Sequence, residues 1–374
     1  MTTETSAAVD ARPLVERILR GAIERRASDL HMEPVGAGYE IRSRVDGVLG
    51  MDERLDGESG RAAVARLMVM ARLLTYRLDV PQEGRVTLAG VGDGLNPGMD
   101  VELRLSVMPT IHGLRAAVRM PADAIQAAVL DGLGLPDMVR AGLERFVAGD
   151  SGMLLFTGPA GSGKTTSMYA TLRHIVANGS GLSVVALEDP VERRLAGITQ
   201  IEVSPFGQLT YERALRSMLR QDPQVLMLGE IRDAATASLA IGAALSGHRL
   251  VTALHAATAG GAIARLLEMG IEPYQITSSL SVVVAQRLLR RSTGSGGYLG
   301  RIPVAEMVVM DPALKKAVLD RADSDALARA YGRQATYRAM ADVAADRIAE
   351  GLTDAAEARR VLGLAAETSS RSSA

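Results

Sequence analysis

The sequence contains no cysteine, which excludes disulfide bonds and thiolate metal sites. Tryptophan is also absent and aromatic residues make up only 3% of the chain, so a core must be built from aliphatic side chains, alanine and methionine. No apolar run reaches the ~20 residues of a membrane-spanning helix, and the first residues, MTTETSAAVD, lack the basic start and apolar stretch of a secretory signal. We expect a cytoplasmic protein with no direct transmembrane insertion.

The net charge is small and lysine is rare. The formal net charge is −1, which gives no reason to expect nucleic acid or an anionic membrane as a partner. Lysine occurs only at Lys164, Lys315 and Lys316, and arginine supplies the other cations. GC-rich codon usage explains this bias, yet the chain still keeps a lysine inside a glycine-rich segment.

The first third of the chain mixes helix and strand patterns. Residues 10 to 30 have the apolar spacing of an amphipathic helix, and residues 60 to 80 are also helical in pattern. YEIRSRVDGVLG alternates like a strand that enters a turn at Asp46-Gly47, and a hairpin pair and one more strand follow. These patterns predict a small α+β domain.

The remainder has a different pattern. Short apolar runs (GMLLFTG, LSVVALEDP, QVLMLGE, RLVTALHA) are separated by helical segments, which predicts an α/β fold with a parallel-rich central sheet. STGSGG, residues 292 to 297, is predicted to be a flexible joint before a helical tail. The predicted organisation is a disordered N-terminus (1–10), an α+β domain (11–121), a linker (122–135), an α/β core (136–305) and a helical C-terminal region (306–374).

The stretch TGPAGSGKTT satisfies the phosphate-loop pattern G-x-x-x-x-G-K-[ST] and lies between a predicted strand and a predicted helix. The glycines let backbone N–H groups surround a phosphate, Lys164 neutralises its oxygens, and the Thr165 hydroxyl is a ligand for Mg²⁺. We therefore expect ATP and Mg²⁺ as cofactors. The expected nucleotide-binding residues are Gly158, Pro159, Ala160, Gly161, Ser162, Gly163, Lys164, Thr165 and Thr166.

Polar residues also end the other predicted strands. Glu230 ends one and is our choice for orienting or deprotonating water, although a carboxylate can simply cap a strand. Glu188 and Asp189 end another, and His255 ends a third; a lone histidine is more often structural. Because parallel strands end at one edge of a sheet, these residues are expected to form one ligand-binding edge.

Several ordered motifs, among them ASDLHMEP, LEDPVE, LGEIRD, GHRLVTALHA and AQRLLRR, resemble those of the ATPases of type II secretion and type IV pilus assembly. The resemblance extends from about residue 10 to 370. It implies a RecA-like P-loop ATPase domain after a small PAS-like domain. It also implies that Glu188 belongs to the nucleotide site, that Glu230 acts on water and that His255 senses the γ-phosphate; His248 lies in the same motif as His255.

In this family the front domain supplies two arginines to the phosphates when the domains close. LRLSVMPT and AVRM place these arginines at Arg104 and Arg119, which the resemblance makes catalytic residues. In an arginine-rich chain the alternative is a salt-bridged strand edge.

The sequence also departs from the family pattern. Assembly ATPases often carry an additional N-terminal docking domain and a four-cysteine zinc motif after QRL. The resemblance here begins at the second domain and the cysteines are missing, so we expect the short form with no zinc.

The resemblance predicts an ATP-hydrolysing homo-hexamer that acts on an inner-membrane platform protein and is peripheral at the inner face of the membrane. Features of ASDLHMEP and of the tail favour assembly of a type IV pilus or a type II secretion pseudopilus over pilus retraction. A non-hydrolysing nucleotide-binding partner of another motor is the alternative from a different class. A DNA-pumping ring is disfavoured because no basic stripe is present, and we expect no nucleic acid partner.

Overall fold

The computed structural model describes residues 10–90, 100–120, 129–179, 181–203 and 209–363. The chain divides into two compact units, Met1–Gln126 and Ala127–Ala374. The division falls within the predicted linker. Residues 1–9 of the predicted disordered N-terminus, residues 122–128 of the linker and the last residues of the tail lie outside the described ranges.

The first unit is an antiparallel sheet packed against two helices. Its strands lie in the order β3-β2-β1-β6-β5-β4, and α1 and α2 share a buried apolar core with the sheet. The elements are α1 (Ala11–Glu24), β1 (Ala27–Val35), β2 (Gly38–Val45), β3 (Val48–Asp56), α2 (Gly57–Met70), β4 (Gln82–Leu88), β5 (Val101–Thr110) and β6 (Gly113–Arg119).

The helix predicted over residues 10 to 30 is correct only as far as Glu24, since ASDLHMEP forms β1. Arg26 has a φ of 55°, a backbone conformation that ends the helix. Leu30 and Met32 are then buried at alternate positions, as in a strand. The helical spacing of the preceding residues concealed this alternation. The second helix likewise ends at Met70, whereas the predicted Asp46-Gly47 turn is present between β2 and β3.

The second unit is built on a sheet in the order β13-β12-β7-β11-β10-β8-β9, in which only the β12–β13 pair is antiparallel. The strands are β7 (Gly152–Thr157), β8 (Val184–Glu188), β9 (Thr199–Glu202), β10 (Val225–Leu228), β11 (Arg249–Leu254), β12 (Leu280–Ser292) and β13 (Tyr298–Val309). Every residue of β7, β8, β10 and β11 is buried, as expected for strands covered on both faces. The predicted α/β fold with a parallel-rich sheet is confirmed.

Helices cover both the sheet and its hairpin. They are α3 (Asp137–Ala148), α4 (Lys164–Asn178), α5 (Tyr211–Met218), α6 (Ala234–Leu245), α7 (Ala259–Glu268), α8 (Pro273–Ser279), α9 (Pro312–Leu319), α10 (Ser324–Tyr331), α11 (Met340–Ala349) and α12 (Ala355–Leu362). The 3-10 turn Leu130–Leu133 precedes them.

The C-terminal boundary differs from the expected one. β13 continues past residue 305 to Val309, and residues 293–297 form the turn of the β12–β13 hairpin, closed by a hydrogen bond from Thr293 N to Gly297 O. Leu314, Leu327 and Val343 of the following helices belong to the same apolar core as the sheet. The described part of the tail therefore packs against the sheet of the second unit, of which it is part. In the described ranges, no helix combines the length and apolarity needed to cross a membrane.

Candidate functional site

The glycine-rich loop joins the end of β7 to the start of α4, where the sequence predicted it. Gly163 precedes the helix with a φ of 89°, and Lys164 is the first helical residue. Gly158 has a φ of 149°, and a Cβ there would lie 2.5 Å from the Gln286 carbonyl oxygen of β12. Glycine is required at both positions because a side chain would be strained or would collide.

Lys164 is largely buried and points back into the loop. Its Nζ donates hydrogen bonds to the Gly158 carbonyl at 2.8 Å and the Pro159 carbonyl at 2.9 Å. Burial lowers the pKa of Lys164; the negative charge of Glu230 acts in the opposite direction, and the nearby Arg287 adds to the lowering. The ammonium group thus lies in an electrostatic environment that includes the carboxylate of Glu230.

Two further features of the loop are suited to binding an anion. The Ser162 hydroxyl is buried with no hydrogen-bond partner within the described structure. Thr165 and Thr166, in the first turn of α4, are partly exposed at the positive end of the helix. No group of three or more acidic or histidine residues in the described ranges has the geometry of a metal site.

Glu230, just after β10, belongs to a network of charged side chains. Its Oε1 accepts a hydrogen bond from Arg232 Nε, and its Oε2 lies 3.0 Å from His255 Nε2. Arg232 also donates through Nη1 to Asp189 Oδ2 at 2.7 Å. Glu230, Asp189 and His255 therefore lie close together, as predicted for residues at one edge of the sheet.

Opposing influences act on Glu230. Its partial burial favours the neutral acid, but the hydrogen bonds and charges of Arg232 and His255 outweigh burial, and the pKa of Glu230 is lowered. The group is therefore a carboxylate at neutral pH and can accept a hydrogen bond or a proton.

Glu188, which precedes Asp189 in the chain, makes hydrogen bonds to residues outside this network. Its carboxylate is buried, accepting hydrogen bonds from the Tyr169 hydroxyl of α4 and from Gln200 Nε2 at 2.9 Å. Burial raises the pKa of Glu188. Its described contacts thus connect it to the helix that Lys164 begins. His248 precedes β11, whereas His255 follows that strand, so the two histidines lie at opposite ends of it.

Gln286 of β12 is a residue of the loop's surroundings to which the sequence reasoning assigned no role. It is only 1% exposed, and its side chain donates to the Ser162 carbonyl at 2.7 Å and accepts from the Ser167 hydroxyl at 3.0 Å. An amide directly after the apolar run VVVA was the available signal, because a buried polar side chain requires partners.

Arg104 and Arg119 belong to the first unit. They lie directly opposite one another on the paired strands β5 and β6, and both are exposed. Arg119 Nε lies 3.4 Å from Asp29 Oδ1 of β1, which is an ion pair of the kind that the alternative predicts, but β5 and β6 are interior strands of the sheet.

A phosphate loop between β7 and α4, with a carboxylate and a histidine at the ends of neighbouring parallel strands, defines the class of P-loop nucleoside triphosphatases. A family model described as "Type II/IV secretion system protein" matches residues 4–360, and the chain belongs to this family. The resemblance seen in the motifs is confirmed, and the chain is an ATPase of this class.

Curated relatives carry names from two kinds of system. The chain is 35% identical to the Type II secretion system ATPase E of Vibrio cholerae over 384 residues, covering 93% of this chain and 74% of the relative. It is 34% identical to the Type II secretion system protein E of Xanthomonas campestris over 365 residues, 87% of this chain and 63% of the relative. It is 39% identical to the Type IV pilus assembly ATPase PilB of Myxococcus xanthus over 291 residues, 77% and 50% respectively. The chain thus spans between half and three quarters of the length of these relatives.

Solved structures agree in fold. The Legionella pneumophila ATPase DotB is similar at a TM-score of 0.74 and 21% identity, covering 93% of this chain and 95% of that one. The pilus retraction motor PilT with bound ADP is similar at a TM-score of 0.67 and 26% identity, covering 93% and 96%. The first of these likenesses supports the fold alone.

Proposed function

We propose that this chain hydrolyses ATP as a homo-hexamer and powers assembly of a type IV pilus or a type II secretion pseudopilus through an inner-membrane platform protein. The observation that carries the proposal is the ionised Glu230, held by Arg232 and His255 in the electrostatic environment of Lys164. The assembly system is inferred from the names of the Vibrio and Myxococcus relatives. The proposed location is the cytoplasmic face of the inner membrane, reached through partners.

The loop of residues 158–166 is the proposed site for the phosphates. Lys164 exchanges its two carbonyl partners for phosphate oxygens, since a buried ammonium is better compensated by an anion than by neutral carbonyls. The Ser162 hydroxyl, which has no hydrogen-bond partner among the described residues, and the amides at the start of α4 supply further donors. Thr165 is the proposed protein ligand of Mg²⁺, which neutralises charge on the phosphates when bound.

Glu230 is the proposed base that orients water and accepts its proton. His255, 3.0 Å from the other side of this carboxylate, is the proposed γ-phosphate sensor. Glu188 acts on the site through Tyr169, whose helix begins with Lys164, and is therefore proposed as a positioning residue. Arg104 and Arg119 are proposed to stabilise charge in the transition state when the first unit approaches a nucleotide site.

Two substitutions test this assignment. Lys164→Ala removes the cation of the loop and is expected to weaken ADP binding at least roughly tenfold. Glu230→Gln keeps the size of the side chain but removes the base, so ATP binding is retained while turnover falls at least ~100-fold. Fluorescent nucleotide titration measures the first effect, and phosphate release at saturating ATP measures the second.

Matched controls are Lys316→Ala and Glu268→Gln, exposed residues on α9 and α7 that should leave both quantities unchanged. Undiminished turnover in Glu230→Gln contradicts the assignment, and a wild-type protein that binds ATP without hydrolysing it favours the non-hydrolysing alternative. Deletion of the gene should abolish surface pili or secretion, whereas an excess of pili would instead assign the chain to retraction.

A further inference from the structure

The side chain of Gln286 connects β12 to the phosphate loop and to the helix α4 that follows it. Its Nε2 donates to the Ser162 carbonyl at 2.7 Å, and its Oε1 accepts from the Ser167 hydroxyl at 3.0 Å. A carbonyl oxygen only accepts hydrogen bonds, so the amide nitrogen must face Ser162 and the amide oxygen must face Ser167. The two partners together allow one orientation of the Gln286 amide.

This contact sets the direction of a backbone donor. The Ser162–Gly163 peptide is trans, and in a trans peptide the C=O and the N–H point in opposite directions within the peptide plane. When Gln286 holds the Ser162 carbonyl on the β12 side, the Gly163 N–H is directed away from β12. Gly163 immediately precedes α4, where backbone N–H groups lack helical acceptors and bind anions.

The fit between Gln286 and the loop also involves its two glycines. A Cβ at Gly163 would lie 2.9 Å from Gln286 Nε2, and a Cβ at Gly158 would lie 2.5 Å from the Gln286 carbonyl oxygen. The loop can therefore approach Gln286 this closely only because both positions lack side chains. Residue 286 thus contacts the loop near each end.

We propose that Gln286 is a positioning residue that presents the Gly163 N–H to the β-phosphate of the bound nucleotide. The proposal rests on the proposed function, because the anion it serves is the diphosphate part of ATP or ADP. Gln286 does not itself touch the nucleotide; it acts through the peptide that it holds.

Gln286→Glu tests the proposal with a side chain of the same size. The carboxylate can still accept from Ser167, but it has no N–H for the Ser162 carbonyl and repels that oxygen. The peptide is then released or turned, and the dissociation constant for ADP should rise roughly tenfold or more. Titration of the full chain with ADP measures this constant, and denaturant unfolding of the same sample measures stability.

Gln334→Glu is the matched control. Gln334 also bonds the backbone with both ends of its amide, accepting from Val309 N at 3.0 Å and donating to the Val309 carbonyl at 2.7 Å, but these bonds are made to β13 and not to the loop. The same substitution there should leave ADP affinity within twofold of wild type. If Gln286→Glu does not fold, Gln286→Met removes the same donor without burying a charge and carries the same expectation.

The outcomes are distinguishable. ADP affinity that falls in the Gln286 variants and holds in the control supports the proposal. Gln286 variants that bind ADP as wild type does, with or without a loss of stability, overturn it and leave the proposed function intact. Wild-type protein that binds no ADP overturns both.

Discussion

At the scale of single residues, Glu357 shows how a buried charge can be compensated in this chain. Its carboxylate is fully buried and accepts hydrogen bonds from Arg290 Nη2 at 2.8 Å and Arg360 Nη2 at 2.6 Å. Burial opposes ionisation, but the hydrogen bonds of these arginines prevail and lower the pKa of Glu357 to about 2. The network joins α12 to β12.

Glu357→Ala should lower the free energy of unfolding by about 3 kcal/mol, because it leaves Arg290, itself only 20% exposed, without its partner. Denaturant titration near neutral pH measures the change. The control Asp320→Ala breaks an exposed pair with Lys316 and should cost less than about 1 kcal/mol. Equal effects of the two substitutions would refute the role given to the network.

The pH dependence follows from the sign of the same shift. The folded pKa lies below the ordinary value of 4.5, so the carboxylate stabilises the fold fully above that pH. This contribution is lost as the pH falls from 4.5 towards 2. Wild type should therefore lose more stability than Glu357→Ala over this interval.

At the scale of elements, Glu306 of β13 connects α7 and the segment before α11 to the sheet. Its carboxylate accepts from Ala259 N, at the start of α7, at 3.3 Å and from the Tyr337 hydroxyl, in the segment before α11, at 3.2 Å. Burial raises the pKa of Glu306, and these hydrogen bonds and the charge of Arg287 only partly oppose it. The folded protein thus favours the protonated form of Glu306 more than the unfolded chain does.

A neutral side chain at position 306 should therefore make the folded protein more stable than wild type at high pH. With a raised pKa, the contribution of Glu306 is present at low pH and is lost as the pH rises through the folded value. The difference in melting temperature, Glu306→Gln minus wild type, should be larger at pH 8 than at pH 5. The exposed Glu350→Gln should show no such difference. A Glu306→Gln protein that is less stable at pH 8 than at pH 5, relative to wild type, would contradict the assignment.

Elements were predicted well where one local pattern dominated. β7, β8, β10 and β11 are uniformly apolar and lie between helices, so their sequence admits few other structures. β1 was missed because its first residues continue the spacing of α1, and only the turn at Arg26 separates the two. The extension of β13 to Val309 depends on pairing with β12, which is not visible in the local sequence.

At the scale of the whole molecule, the chain has two units, and the proposed motor uses both. Arg104 and Arg119 lie on the unit that lacks the phosphate loop, so the proposal requires them to reach a nucleotide held by a second unit of the same chain or of another copy. Such a requirement would couple ATP hydrolysis to relative motion of the units.

Replacing both arginines by alanine should lower the maximal ATPase rate on the order of 1,000-fold while ADP binding persists, since the arginines act on charge that develops during hydrolysis. Steady-state phosphate release and nucleotide titration separate the two quantities. Arg54→Ala, on the edge strand β3, removes an exposed arginine of the same sheet and should change neither. If the double variant hydrolyses ATP at the wild-type rate, the two arginines have no part in hydrolysis.

The sequence by itself determined the class of this protein. The spacing of Gly158, Gly163, Lys164 and Thr165 specifies a phosphate loop, because the backbone conformations and donors that the loop requires are local properties. The carboxylate and histidine at the strand ends followed from the rule that parallel strands end at one edge.

Only the tertiary structure decided which side chains meet. Arg232 joins Asp189 to Glu230, Tyr169 holds Glu188, and Gln286 holds the Ser162 carbonyl. Each contact joins segments that are distant in the chain or on different elements, and sheet order sets which of them become neighbours. The local sequence specifies the donors and acceptors, whereas the packing of the strands and helices selects the pairs.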